Sequence, residues 1–210
     1  DVSWIGGEWL DNEGSSLVRL GNGISFVQTN DSIFVSGCTV SQCFDAGISP
    51  QYWSASMSMT NMWFTNNVVK NCWYSYETWA GSGITLTNVH FDNNTCVDAG
   101  DCWSNSIHQR PDIDGASHVL IHTLAGTVSD LTVRNNIFLN SEHFGYKVNN
   151  NVSKLTADYN VIVCDTVAYL NETNKYTTLA AWVSASSKDA NSIDDDPLFV
   201  SSSDFNLQST

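Results

Sequence analysis

One octet recurs along this chain, and it limits the fold more than any other feature. SGCTVSQC, TNNVVKNC, DNNTCVDA and RNNIFLNS align, and DYNVIVCD is a weaker fifth copy. Their third residues are Cys38, Asn67, Asn94, Asn136 and Asn160, at intervals of 29, 27, 42 and 24 residues. Short alternating runs precede several of them, such as Ile84-Thr85-Leu86-Thr87, Leu131-Thr132-Val133-Arg134 and Leu155-Thr156-Ala157-Asp158. Period-two alternation puts the apolar residues on one face of a strand and the polar ones on the other. An apolar-in strand, an Asn corner and a second short strand, repeated in this way, describe one coil of a β-solenoid. A single coil cannot bury its inner face, so stacking must supply the core.

The corner residue has a physical reason. An Asn amide can bond to the Asn above and below it, and Asn tolerates the left-handed backbone that a tight corner requires. An antiparallel sandwich or jelly roll would need hairpin signals between strand pairs, and Asn22-Gly23 is the one clear example. The 42-residue interval carries an excess over its neighbours, which predicts a long inserted loop around residues 98–126. Solenoid insertions gather on one face, often the binding face.

Composition agrees. Only 14% of residues are charged while 42% are hydrophobic, so Asn, Ser, Thr and Asp must cover the surface, and these favour turns over helix interiors. The 210 residues fit one β-rich domain spanning 1–210, or a fragment of a longer β-helix. With 8 basic against 22 acidic residues the net charge is −14. Phosphate contacts need Lys and Arg, so nucleic acid is excluded as a partner. No apolar run approaches the ~20 residues of a membrane span. The chain opens at Asp1 directly into folded-looking sequence, as a mature or trimmed chain would. The six cysteines show no paired metal spacing. Cys96 and Cys102 could close a short loop, and Cys43 and Cys72 fall at equivalent repeat positions.

Beyond the repeats, DAGISPQYW, WYSYETW, HQRPDIDGASH and the closing DDDPLFVSSSDFNLQ resemble the right-handed parallel β-helix (pectate-lyase-like) superfamily, in its branch of secreted bacterial β-helix repeat proteins. The resemblance covers nearly the whole chain. It implies an all-β, right-handed parallel β-helix, secreted or extracellular, acting on a plant or microbial polysaccharide. It implies no particular reaction, since the superfamily holds glycoside hydrolases, polysaccharide lyases and tailspike-like binding modules. The Asp-rich constellation of polygalacturonase-type hydrolases has no clear counterpart here. Neither has the Lys/Arg-plus-acid pattern of Ca²⁺-dependent lyases.

Candidate chemistry falls in three places. The inserted loop holds Asp101, Trp103, His108, Arg110, Asp112, Asp114 and His118. His108 and Arg110 suit acid–base work and carboxylate or hydroxyl binding, with Trp103 and Asp112 as substrate contacts; an Arg110–Asp clamp holding the loop would explain the same residues. Glu77 lies in Trp73-Tyr74-Ser75-Tyr76-Glu77-Thr78-Trp79. A carboxylate among aromatics is suited to proton donation, and Tyr74 and Trp79 could stack on sugar, or simply pack. Finally, Asp45 precedes Gln51, Tyr52 and Trp53, and the repeat count places Asp45 level with Tyr74 and His143, with Lys147 four residues on. Asp45, Glu77, His143 and Lys147 are therefore expected along one flank. Asp45 and Glu77 would be the acid–base pair of a glycoside hydrolase, with Trp53, His143 and Lys147 as binding residues. A lyase or a non-catalytic glycan-binding module is the alternative. No metal or other cofactor is expected, although Asp194, Asp195 and Asp196 could form a Ca²⁺ site instead of a solvated turn. The expected partner is a polysaccharide or oligosaccharide, and the oligomeric state is a monomer or homotrimer.

Overall fold

The computed structural model describes residues 3–5, 21–51, 57–102, 115–201 and 204–208. Its strands fall into three parallel sheets that the chain visits in rotation. Sheet C contains β3 (Asn30–Ser36), β6 (Ser58–Thr65), β9 (Thr85–Asp92), β12 (Thr127–Arg134) and β15 (Leu155–Asp158). Sheet A contains β1 (Ser3–Ile5), β4 (Thr39–Ser41), β7 (Val68–Lys70), β10 (Thr95–Ala99), β13 (Ile137–Ser141) and β16 (Val161–Val163). Sheet B contains β2 (Ile24–Phe26), β5 (Ala46–Pro50), β8 (Tyr74–Ala80), β11 (Ser117–Leu124), β14 (Phe144–Val148) and β17 (Ala168–Leu170). An antiparallel strand, β18 (Asn174–Tyr176), closes the edge of sheet B. Helix α1 (Leu179–Ser186) and a hairpin of β19 (Phe199–Ser201) and β20 (Asp204–Leu207) follow. The protein is thus all-β, with stacked parallel sheets compatible with a β-helix. The repeat showed two strands per coil; the third, in sheet B, has no anchor residue to mark it.

The core is built from rows of register partners. Ile33, Met62, Val89, Leu131 and Leu155 stack in sheet C, with Val35, Phe64, Phe91, Val133 and Ala157 in the next inward row. Val40, Val69, Cys96, Phe138 and Ile162 line sheet A, and Ile48, Tyr76, Val119, Tyr146 and Ala168 line sheet B. Except for Ile33 and Val35, which are partly buried, all of them are buried.

The corner between sheets C and A divides its work between two asparagines. The first of each pair (Asn66, Asn93, Asn135) takes the left-handed backbone, as do Gly37 and Tyr159 in the end copies. The second is buried and forms a ladder. The backbone N–H of Cys38 donates to Asn67 Oδ1 at 3.0 Å, Asn67 to Asn94 at 3.0 Å, Asn94 to Asn136 at 2.8 Å and Asn136 to Asn160 at 2.9 Å. Each Nδ2 donates to a sheet C carbonyl: Asn67 to Val35, Asn94 to Phe64, Asn136 to Phe91 and Asn160 to Val133. Asn160 has no sixth rung beyond it: Ser192 Oγ accepts its backbone N–H at 2.8 Å, and its side-chain amide turns to buried Asp189. Its carboxylate accepts Asn160 Nδ2 at 2.8 Å and Trp182 Nε1 at 2.9 Å.

The structure corrects two expectations. Residues 117–124 form a regular strand of sheet B, so the surplus chain lies between Ala99 and Ser117 and not across 98–126. His118, read as part of the loop, is therefore a core residue. All six cysteines are unbridged, and Cys96 points into the core instead of toward Cys102. Cys43 and Cys72 do meet on adjacent coils; hydrogen bonding to Cys43, then burial, raises the Cys72 thiol pKa.

Replacing Asn94 by Ala strips partners from the buried Asn67 N–H and Phe64 carbonyl, at roughly 1–3 kcal/mol for each group left unsatisfied. Asn93→Ala removes the short amide that lets asparagine sit in a left-handed corner, at about 1–2 kcal/mol. Urea unfolding should therefore rank Asn94→Ala well below Asn93→Ala, and Asn93→Gly close to the parent. Equal losses for the two alanine variants would contradict the division of roles.

Candidate functional site

Glu77 sits on the outer face of sheet B, in a row that register sets as Ser25, Ser49, Glu77, Leu120, Lys147 and Tyr169. Gln51 Nε2 donates to Glu77 Oε2 at 3.1 Å, and Ser49 Oγ lies 3.4 Å from the same oxygen. Only 6% of Glu77 and 2% of Lys147 reach solvent. A second apolar cluster of Ala46, Trp73, Tyr74, Ala116 and Leu120 packs in this region, apart from the main core. Tyr74 is thus a packing residue here. Trp79 is half-buried and stacks on the exposed His122 ring at 4.5 Å between centroids.

The expected flank is brought together only in part. Glu77 and Lys147 share a row with Leu120 between them, so their backbones stand about 10 Å apart at the usual strand spacing. The register pairs Tyr74 with Ala46, which moves Asp45 out of Tyr74's row by one residue. Asp45 falls level with His143, because Phe144, Ser117, Tyr74 and Ala46 are successive partners. Asp45 lies four residues before Ser49, the partner of Glu77. Their backbones are then about 14 Å apart. Trp53, Trp103, His108, Arg110 and Asp112 lie outside the described residues.

A different site stands at the corner between sheets A and B, where a cavity of about 600 Å³ opens. Its walls include Asp98, Asp101, Glu142, Asp165 and Asp194, with Asn140, Ser141 and Thr177. Its origin is a difference in coil length. Between the partner pairs Leu139–Val163 and Tyr146–Ala168, one coil takes seven steps and the next takes five. The longer corner, carrying Glu142 and His143, therefore stands over a shorter one carrying Asp165. Gly100, at φ +90°, makes room for the acid: a Cβ there would lie 2.9 Å from Glu142 Oε2. Asp98 and Asp101 are steadied by amides, Asn140 Nδ2 donating to Asp98 Oδ1 at 3.1 Å and Asn71 Nδ2 to the Asp101 carbonyl at 2.9 Å. No Lys, Arg or His is among the described residues lining the cavity.

No family model, curated protein or solved structure matches the chain.

Sequence reasoning noted Asp101 and Asp194 but passed over Glu142 and Asp165. The signal was a repeat shortened to 24 residues after Asn136, which places a recess next to the longer coil. Among the described residues no group of three or more His, Cys, Asp or Glu side chains is arranged to hold a metal ion. No helix among them is long and apolar enough to cross a membrane.

Behind the cavity wall His118 is fully buried, its Nδ1 3.0 Å from Ser75 Oγ and its ring stacked on Phe138. Burial lowers its pKa from 6.5 to about 4, so the native state holds neutral imidazole. The unfolded chain binds the proton first as pH falls, and stability drops from pH 6.5 down to about 4. That difference is worth about 3 kcal/mol at the acid end. His118→Gln should remove this component from the pH dependence of unfolding. A parent and variant whose stabilities run parallel from pH 7 to 4 would contradict it.

Proposed function

We propose that the chain is a right-handed parallel β-helix of the pectate-lyase-like kind, working outside the cell. Its proposed activity is hydrolysis of a neutral or weakly charged polysaccharide in the corner cavity. The observation that carries this reading is the open cavity lined by five carboxylates and no described cation. Glycoside hydrolysis needs one carboxyl group to protonate the leaving oxygen and a second to act as base or nucleophile, with the two about 5–10 Å apart. Adjacent coils are separated by about 4.8 Å, so Glu142 and Asp165, on neighbouring coils of one wall, are the favoured pair. Asp98 and Asp101 would accept hydrogen bonds from sugar hydroxyls. The same lining disfavours β-elimination, which calls for a basic group against an acidic sugar, and it disfavours polyanionic substrates. Glu77, buried and tied to Gln51, holds two coils of sheet B together in this reading.

Incubation with a panel of plant, algal and microbial polysaccharides tests it. New reducing ends are expected, without the absorbance of an unsaturated uronate. Glu142→Gln and Asp165→Asn should each lower turnover by roughly 10²–10⁴, while Glu77→Gln leaves it within a few-fold. Unsaturated product, or full activity in both cavity variants, would overturn the assignment.

A further inference from the structure

The outer face of sheet C is unlike the rest of the surface. Register aligns Phe34, Trp63 and His90 in one outward row. Phe34 and Trp63 stack at 4.6 Å and 10° between planes, and Trp63 and His90 at 5.7 Å and 13°. Phe34 is 72% exposed, so its ring lies outside the core. A solvent-facing apolar patch with a polar rim marks an interaction surface.

The rim indicates what kind of partner fits. Asp31 is fully exposed, and hydrogen bonds from Thr60, Asn61 and Ser32 hold its carboxyl below the usual range. Three residues before the ring row runs a line of hydroxyls, Thr60, Thr87 and Ser129, in register with Asp31. Asp130 is exposed beside them. Exposed carboxylates and hydroxyls accept hydrogen bonds from alcohol donors, and the outer face of Phe34, at the end of the ring stack that Trp63 holds in place, can take the apolar C–H face of a pyranose. Arg134, at the far corner, is the one Lys or Arg among the described residues of sheet C, so a polyanion would meet mostly negative charge.

We propose that the Phe34–Trp63 face of sheet C is a second glycan-binding surface, taking a neutral polysaccharide across the coils away from the corner cavity. It rests on the reading of the protein as carbohydrate-active but uses none of the cavity residues. Affinity electrophoresis tests it, with the intact chain run through gels cast with neutral xylan, β-glucan or galactomannan, and with anionic polygalacturonate or alginate. The chain should be retarded in at least one neutral gel. Phe34→Ala and Trp63→Ala, checked for parental melting temperature, should weaken that retardation about tenfold in Kd, while Glu142→Gln leaves it unchanged. Retardation only in anionic gels, none in any gel, or retardation that both ring variants retain would overturn the proposal. Ring-dependent binding by a parent chain that hydrolyses none of the polysaccharides would sink the cavity reading and leave this one standing.

Discussion

The buried asparagine ladder is the constraint on which the rest of this fold depends. A chain that visits three stacked sheets in rotation turns sharply three times per round, and every turn strands backbone groups that the sheets cannot pair. At the corner between sheets C and A, one carboxamide per coil receives an N–H from the neighbouring coil and returns its own to a carbonyl. The amide satisfies a buried donor and a buried acceptor together, and it fixes the register between coils. With register fixed, inward rows such as Phe64 and Phe91 fall on one another. Ser192 and Asp189 together complete the ladder where the repeat stops, the hydroxyl taking the backbone N–H of Asn160 and the carboxylate its amide, and Trp182 of helix α1 is drawn into the same carboxylate.

That dependence explains what could be read from the residues alone. The anchors Asn67, Asn94, Asn136 and Asn160 each use one carboxamide as acceptor and donor at once, so they stand out in the sequence. Sheet B has no such marker. Its corner row runs through Gly47, Ser75, His118 and Gly145, which share no side-chain chemistry and so leave no periodic trace. Asp45 was misaligned for this reason: counting onward from the anchor assumes equal corners, and the pairing of Ala46 with Tyr74 shows that they differ by one residue. Glu77 and Lys147 were placed on a common face correctly because both lie within regular strands.

Differences in coil length also produce the cavity. Where the chain takes seven steps between matching partner positions in one coil and five in the next, the stack cannot close flush, and the recess is lined by whatever the corners carry. Here these are Glu142 and Asp165, with Asp98 and Asp101 from the coil before. Sheet C has the opposite character. Its strands keep register over seven partners between β6 and β9, which yields a flat face and an ordered row of rings. One molecule thus presents a concave acidic corner and a flat aromatic face, each a consequence of how evenly its coils repeat.

The most direct test of this account is a crystal structure of Glu142→Gln soaked with an oligosaccharide drawn from whichever polysaccharide yields new reducing ends with the parent chain. The account places a sugar ring in the corner cavity, with a glycosidic oxygen within hydrogen-bond reach of residue 142 and Asp165 on the opposite side of the ring. A sugar bound over Glu77 on sheet B, with the corner empty, would contradict it.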